Sequence, residues 1–293
     1  MNDKILITGV TGLLGVDLMT VLKQDYRAMG VSTANFDIQN YDEIASFLDR
    51  MKPEVVLHAA AWADVDGCED QKEKAFAINA IGTKNIATVC KNIGAKMIYY
   101  STDYVFDGTK GSAYTEDDKT NPINNYGRSK LEGEQHVLDI LDDAAIMRIS
   151  WLYGTAKDCF VTSIIHAALM QHRAKLKNEP YEVLKVVSDQ FSCPTWTVDI
   201  ADQTKVIIEK KVSGIIHAAS LGLVSKYSLS ENIFEELSWD IEMDKVKRSE
   251  FPMKAQRPER SDLENKRLND LGLSEMRSYK EAIREFLMVH KED

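Results

Sequence analysis

The sequence predicts an α/β fold: a Rossmann-type doubly wound parallel sheet with a smaller C-terminal α/β lobe. Three observations carry this prediction. Short apolar runs recur ahead of helical patterns, at Lys4–Thr8, Arg27–Val31, Pro53–Ala61, Lys96–Thr102 and Ala144–Ser150. Such runs suit strands buried on both faces, and their alternation with helices specifies parallel βαβ crossovers. The first run passes through Gly9-Val-Thr-Gly12-Leu-Leu-Gly15 into a helical stretch, Val16–Lys23, while beyond residue 150 the alternation loosens. With 293 residues, 44% of them hydrophobic, the chain has core enough for one large domain or two coupled ones.

Taken in order, the glycine turn comes first. Strand, glycine turn and helix are the context that a dinucleotide fingerprint requires. Glycines let the backbone approach a pyrophosphate, whose charge a helix N-terminus favours. Gly9, Thr11, Gly12, Leu13 and Leu14 are therefore cofactor-binding candidates, and Gly15 reads as helix–strand packing. After the second run, Ser32-Thr-Ala-Asn35 stands where a ribose-binding acid is expected. Asp37 and Ile38 follow as candidates bordering the adenine, with a turn or cap role as the competing reading of Asp37. No carboxylate there repels a 2′-phosphate and no arginine clasps one, so the expected cofactor is NADPH, with NADH possible.

A helix is expected at Tyr41–Met51. The small-residue end of the third run, Ala60-Ala61 with Trp62, lets a cofactor lie close. Asp64–Asp70 reads as an acidic loop, and Glu73–Gly94 as a long helix carrying Asn79, a further cofactor candidate.

The chemistry centres on Tyr126-Gly-Arg-Ser-Lys130. Tyrosine and lysine four apart share one helix face. A neighbouring ammonium lowers a phenol's pKa from about 10 and makes it a usable proton donor to a carbonyl oxygen. The same spacing also occurs at Tyr153/Lys157 and Tyr181/Lys185. Tyr181 runs into a β-like stretch, where residues four apart lie roughly 13 Å apart, and Tyr153 precedes Gly154 in a loop. Only Tyr126 opens a segment, Asn124–Leu141, with Leu131, Val137, Leu138 and Leu141 at helical spacing. Only Tyr126 has a hydroxyl-bearing strand end, Ser101-Thr102, upstream where a parallel sheet delivers it. Tyr126 and Lys130 are the candidate pair, set against a plain surface helix.

Further along, helices are expected at Phe160–His172, Val198–Lys210, Ser228–Leu237 and Tyr279–Val289, with strands at Leu184–Val187 and Gly214–Ala218. Asp189–Thr195 and Met253–Pro258 read as loops facing a ligand. Residues 1–150 thus form the cofactor domain and 151–293 the substrate lobe, with room for the chain to re-enter the first domain near 195–220. The net charge of −10 argues against a nucleic-acid or anionic-membrane partner. No apolar run approaches the length that spans a bilayer. Cys68, Cys90, Cys159 and Cys193 show neither CxxC spacing nor a histidine cluster, so no metal and no disulfide framework is expected. Met-Asn-Asp-Lys-Ile enters a strand at once, so no signal peptide is expected and the location is read as cytoplasmic.

Six blocks together carry a resemblance. They are Gly9–Gly15, Ser101-Thr-Asp-Tyr-Val-Phe-Asp-Gly108, Asn121-Pro-Ile-Asn-Asn-Tyr-Gly-Arg-Ser-Lys-Leu-Glu-Gly-Glu134, Arg148-Ile-Ser-Trp-Leu-Tyr-Gly154, Asp189–Thr195 and Arg257-Pro-Glu-Arg-Ser-Asp-Leu263. In this order the chain resembles the extended short-chain dehydrogenase/reductases, and within them the dTDP-4-dehydrorhamnose reductases. The resemblance implies NAD(P)H reduction of the 4-keto group of a nucleotide-linked 6-deoxyhexose. It implies Thr102, Tyr126 and Lys130 as the catalytic set, and Thr102, Asp103 and Trp151 as contacts to the sugar nucleotide. Arg257 is the best-placed cation for the substrate's diphosphate, or else a partner for Glu259. A monomer or homodimer is expected. The Gly12-Leu-Leu-Gly15 turn and the Ala255–Pro258 loop are also similar to the regulatory β subunit of methionine adenosyltransferase, which keeps an NADP-binding subunit without turnover as the alternative. Epimerases and dehydratases of the same superfamily come third.

Overall fold

In the computed structural model, which describes residues 3–251 and 253–290, β1 (Lys4–Thr8) leads through the glycine turn into α1 (Leu13–Leu22). Gly12, in extended conformation and without a side-chain cap, opens this helix three residues earlier than Val16. There follow β2 (Arg27–Val31), α2 (Tyr41–Met51), β3 (Val55–His58) and α3 (Val65–Asp70). The Asn40 side chain caps α2 by accepting from the N–H groups of Asp42 and Glu43. The expected acidic loop is largely α3. The Asp64 carboxylate accepts from the Gly67 N–H at 3.0 Å, so an acid that looked like loop solvation is a helix cap.

Next come α4 (Lys72–Phe76), a π turn (Ala77–Gly82) and α5 (Thr83–Ile93), where one unbroken helix was expected. Then β4 (Lys96–Thr102), α6 (Asn125–Ile140) and β5 (Ala145–Ile149) complete the regular alternation. Beyond it lie β6 (Leu152–Tyr153), α7 (Phe160–Lys177), β7 (Leu184–Val187), β8 (Phe191–Ser192) and β9 (Thr195–Trp196). The chain ends through α8 (Thr197–Lys210), β10 (Gly214–Ala218), β11 (Val224–Ser225), α9 (Lys226–Leu237), β12 (Met243–Val246), α10 (Lys266–Asp270) and α11 (Tyr279–Val289).

Six parallel strands pair in the order β10-β5-β4-β3-β1-β2. The sequence order reverses between β1 and β3, and in such sheets ligands bind beyond the strand C-termini at that reversal. Successive residues of β1 serve opposite faces, as a strand period of two requires. Ile5 and Ile7 pack with Leu18, Met147 and Ile200, while Leu6 packs with Ile44, Val56, Ile86 and Tyr99. Burial on both faces explains why the strands read as unbroken apolar runs.

The sheet takes its sixth strand, β10, from the C-terminal half, paired with β5 in the register Gly214↔Ala145. α8 supplies Ile200, Ala201 and Ile207 to the same core face as α1. The remaining C-terminal elements have a core of their own, including Val161, Trp196, Phe234 and Phe286. Among the described residues, no helix is long and apolar enough to cross a membrane.

Candidate active site

A cavity of about 640 Å³ opens over the strand ends between the sheet and the lobe. Gly12, Leu13 and Leu14 line one part of it, Ala61 and Trp62 at the end of β3 another, and Thr102, Tyr126 and Lys130 its floor. Trp151, Gln190, Phe191, Ser192 and Lys226 close it from the lobe.

The glycine turn fits a pyrophosphate on structural grounds. Gly9 has φ +70°, and a Cβ there would stand 2.7 Å from the Ala60 backbone, so β1 and β3 approach too closely for any side chain. Gly12 donates its N–H back to the Gly9 carbonyl at 2.8 Å. The first turn of α1 has no side-chain cap, which leaves backbone donors and the positive end of the helix dipole for an anion. Behind the turn, His58 bridges the hydroxyls of Thr8 (2.7 Å) and Thr83 (3.1 Å). Burial lowers its pKa to about 3 and keeps it neutral.

Several expected cofactor contacts lie outside the cavity lining. Asp37 is exposed, and its carboxylate accepts from the Gln39 N–H at 2.9 Å, which is the turn role. Ile38 packs against Gly82. Thr11 is exposed and, like Gly9 and Ala60, stands outside the cavity lining. Asn79, on the π turn, clamps the Trp62 backbone by accepting from its N–H (2.8 Å) and donating to its carbonyl (3.1 Å). Its amide also donates to Ser129 Oγ at 3.0 Å. Asn79 thus positions the cavity wall and tethers it to the helix of Tyr126.

α6 begins at the Asn124 cap, whose side chain accepts from the Gly127 N–H at 2.8 Å. A Cβ on Gly127 would meet the Tyr104 carbonyl, so this glycine sets how closely the helix start approaches the end of β4. Tyr126 and Lys130 both face the cavity, as their spacing predicts. The electrostatics differ from the expectation. Lys130 Nζ donates to the Tyr100 carbonyl at 2.7 Å and lies 4.1 Å from the Tyr99 ring centroid. Burial lowers its pKa to about 7, with Glu134 opposing. The Tyr126 phenol is pushed up by burial, with Thr102 pulling the other way and Asp103 adding to the rise. Desolvation therefore outweighs any help from the lysine, and the phenol holds its proton firmly.

Asp103 is fully buried and reaches across the two halves. Its Oδ1 accepts from the Thr102 hydroxyl at 3.0 Å. Its Oδ2 accepts from Ser150 (3.1 Å), Ser192 (3.2 Å) and Ser261 (2.6 Å). Burial raises its pKa and the four hydroxyls oppose that rise. Asp103 was expected to touch substrate. It lines the cavity, and its oxygens also tie Ser192 and Ser261 of the C-terminal lobe to the end of β4. Trp151 does face the cavity, from a left-handed backbone position (φ 38°) and with its ring 5.6 Å from that of Phe160. A strained conformation at a non-glycine residue is the kind that functional sites retain. Behind the floor, Arg148 and Glu134 form a buried fork, Nε–Oε1 at 3.0 Å and Nη2–Oε2 at 2.7 Å, and the Ser101 hydroxyl donates to the same carboxylate.

The RmlD substrate binding domain family model matches residues 3–291. This chain belongs to that family. It is similar to a dTDP-4-dehydrorhamnose reductase from Clostridium acetobutylicum, at 36% identity and TM-score 0.92, over 98% of this chain and 99% of that one. The dTDP-4-dehydrorhamnose reductase from Bacillus anthracis, solved in complex with NADP, is 31% identical with TM-score 0.93, over 99% and 100% of the two chains. A curated relative, the dTDP-4-dehydrorhamnose reductase of Mycobacterium tuberculosis, is 34% identical over 96% of this chain and 91% of its own length.

Within this family frame, two readings of the sequence need correcting. Arg257 does not line the cavity. Its guanidinium forks onto Asp66, with Nη1–Oδ1 and Nη2–Oδ2 both at 3.0 Å, so its partner is neither a free ligand position nor Glu259. Of the two loops expected to face a ligand, Asp189–Thr195 lines the cavity through Gln190, Phe191 and Ser192, whereas Met253–Pro258 packs on α3. Ser150, Ser261 and Lys226 were not singled out at all. The serines sit inside two of the six blocks without a signal of their own, and Lys226 lies just ahead of the helix expected at Ser228–Leu237.

Proposed function

We propose that the protein reduces the 4-keto group of a nucleotide-linked 6-deoxyhexose with NADPH, as a step of deoxysugar biosynthesis. The observation that carries this is the phenol of Tyr126 beside Thr102 and Lys130, on the floor of a cavity whose other end is the uncapped glycine turn. The names of the relatives, and the NADP in one of them, support the substrate class and the cofactor. On this reading residues 1–150, completed by α8 and β10, hold the cofactor, and the rest of the chain holds the sugar nucleotide.

The cofactor's pyrophosphate would lie on Gly12, Leu13 and Leu14, its adenine end beyond β2, and its nicotinamide ribose at Lys130. Bound there, it supplies a hydride to the carbonyl carbon. Tyr126 gives its proton to the carbonyl oxygen, which becomes an alkoxide more basic than a phenolate as the hydride arrives. A raised phenol pKa keeps that proton in place until it is needed. Asp103 orients the Thr102 hydroxyl, which in turn faces Tyr126. Trp151 offers an apolar wall to the sugar. The enzyme is taken to work in the cytoplasm as a monomer or homodimer.

The test is NADPH oxidation at 340 nm with dTDP-linked 4-keto-6-deoxyhexoses. Tyr126→Phe should lower kcat by about two to four decades and leave NADPH binding near that of the wild type. A regulatory subunit that binds NADP without turnover would oxidise no NADPH with any of these sugars, and the substitution would then change nothing.

A further inference from the structure

We infer that Lys226, at the start of α9, is the cationic anchor for the diphosphate of the sugar nucleotide. This rests on the reading of the cavity given above. A diphosphate brings about two negative charges into a protein whose net charge is −10, so a local cation has to receive it.

Arg257 is committed to Asp66. Arg248 donates to the Arg257 carbonyl. Lys130 is held on the Tyr100 carbonyl at the catalytic floor. Lys157 lines the cavity but is exposed, three residues after Gly154, which packs against Leu13 and Asp17 on the cofactor side. Lys226 remains. It lines the cavity from the lobe, with Nζ 5.3 Å from the centroid of the Phe160 ring. That ring in turn packs on Trp151. The ammonium therefore stands on the sugar side, next to the tryptophan.

Its surroundings are unfavourable to a cation. Lys226 sits in the first turn of a 12-residue helix, where the dipole opposes positive charge, and no acidic residue shares that turn. Burial lowers its pKa, and the neighbouring Arg257, another cation, adds to that. No carboxylate among the described residues compensates. A half-buried cation left without an acid, beside a helix N-terminus and facing a cavity, is an arrangement that an anion resolves.

The experiment uses the full chain saturated with NADPH, so that the glycine turn is filled, and titrates inorganic pyrophosphate, dTDP and thymidine by calorimetry. Lys226→Met should weaken pyrophosphate and dTDP at least tenfold. Thymidine affinity and the NADPH Kd should stay within twofold, and the melting temperature should not fall, because a poorly solvated charge has been removed. Lys226→Arg should recover most of the dTDP affinity. In turnover, Lys226→Met should raise the sugar-nucleotide KM by a larger factor than it lowers kcat. Unchanged dTDP affinity in Lys226→Met, or a loss that appears in Lys157→Met instead, overturns the assignment. So does a wild type that binds no pyrophosphate when NADPH is saturating. If the wild type binds pyrophosphate through Lys226 but turns over no 4-keto sugar nucleotide, the anion site stands and the substrate reading falls.

Discussion

Glu134→Gln offers the sharpest test of how the cavity floor is supported. The carboxylate and the Arg148 guanidinium are 2% and 3% exposed, so neither charge has water to fall back on. Glutamine keeps the shape and removes the charge. It also turns one acceptor into an amide donor that faces the arginine's own donors. Removing one partner of a buried pair typically costs about 3–5 kcal/mol, because the other charge is left uncompensated. An unfolding entropy of roughly 2.1 cal/mol/K per residue, taken over the whole chain, makes that a fall of about 5–8 °C in Tm. Scanning calorimetry measures it. Replacing both residues by methionine should recover most of the loss, since apolar pairs of similar volume are often as stable as the ions they replace. A drop below about 1 °C for Glu134→Gln would mean that water or a neighbour already compensates Arg148, and would refute a buried guanidinium that depends on Glu134.

Two further outcomes follow from the same electrostatics. Free lysine keeps its proton to about pH 10.4, whereas folded, cofactor-free Lys130 releases it near pH 7. Between these values the unfolded chain binds more protons, so Lys130 makes stability rise with pH across that window. Lys130→Met should remove this contribution and be relatively more stable near pH 7 than near pH 9; melting curves at both pH values, with an unchanged difference between variant and wild type, would count against it. The Asp66–Arg257 fork joins α3 to the C-terminal loop at 37% and 15% side-chain exposure. A double-mutant cycle of Asp66→Ala and Arg257→Ala should give a coupling of about 1 kcal/mol, with both single variants raising the sugar-nucleotide KM alike. A KM effect confined to Arg257→Ala would return that arginine to the diphosphate.

Much of the fold was legible because its signals are local. Apolar runs of strand length, glycines at a tight turn and a tyrosine one helical turn before a lysine are each written within a few residues. Sterics and hydrogen-bond geometry translate them directly into β1, the α1 turn and α6. The family resemblance then added Thr102 to Tyr126 and Lys130 in the proposed catalytic set. What tertiary structure alone decided was the state and partner of each polar group. Asp103 meets Ser261 from 158 residues away and Ser192 from 89, and Arg257 finds Asp66 from 191. No local pattern encodes these pairings, because many carboxylates and hydroxyls in the chain are chemically equivalent until folding removes water from a few of them. The same desolvation holds the Tyr126 proton more tightly than its neighbouring lysine predicts, and it leaves Lys226 as a cation in want of an anion. Charge in a sequence is only a count; burial gives it an energy.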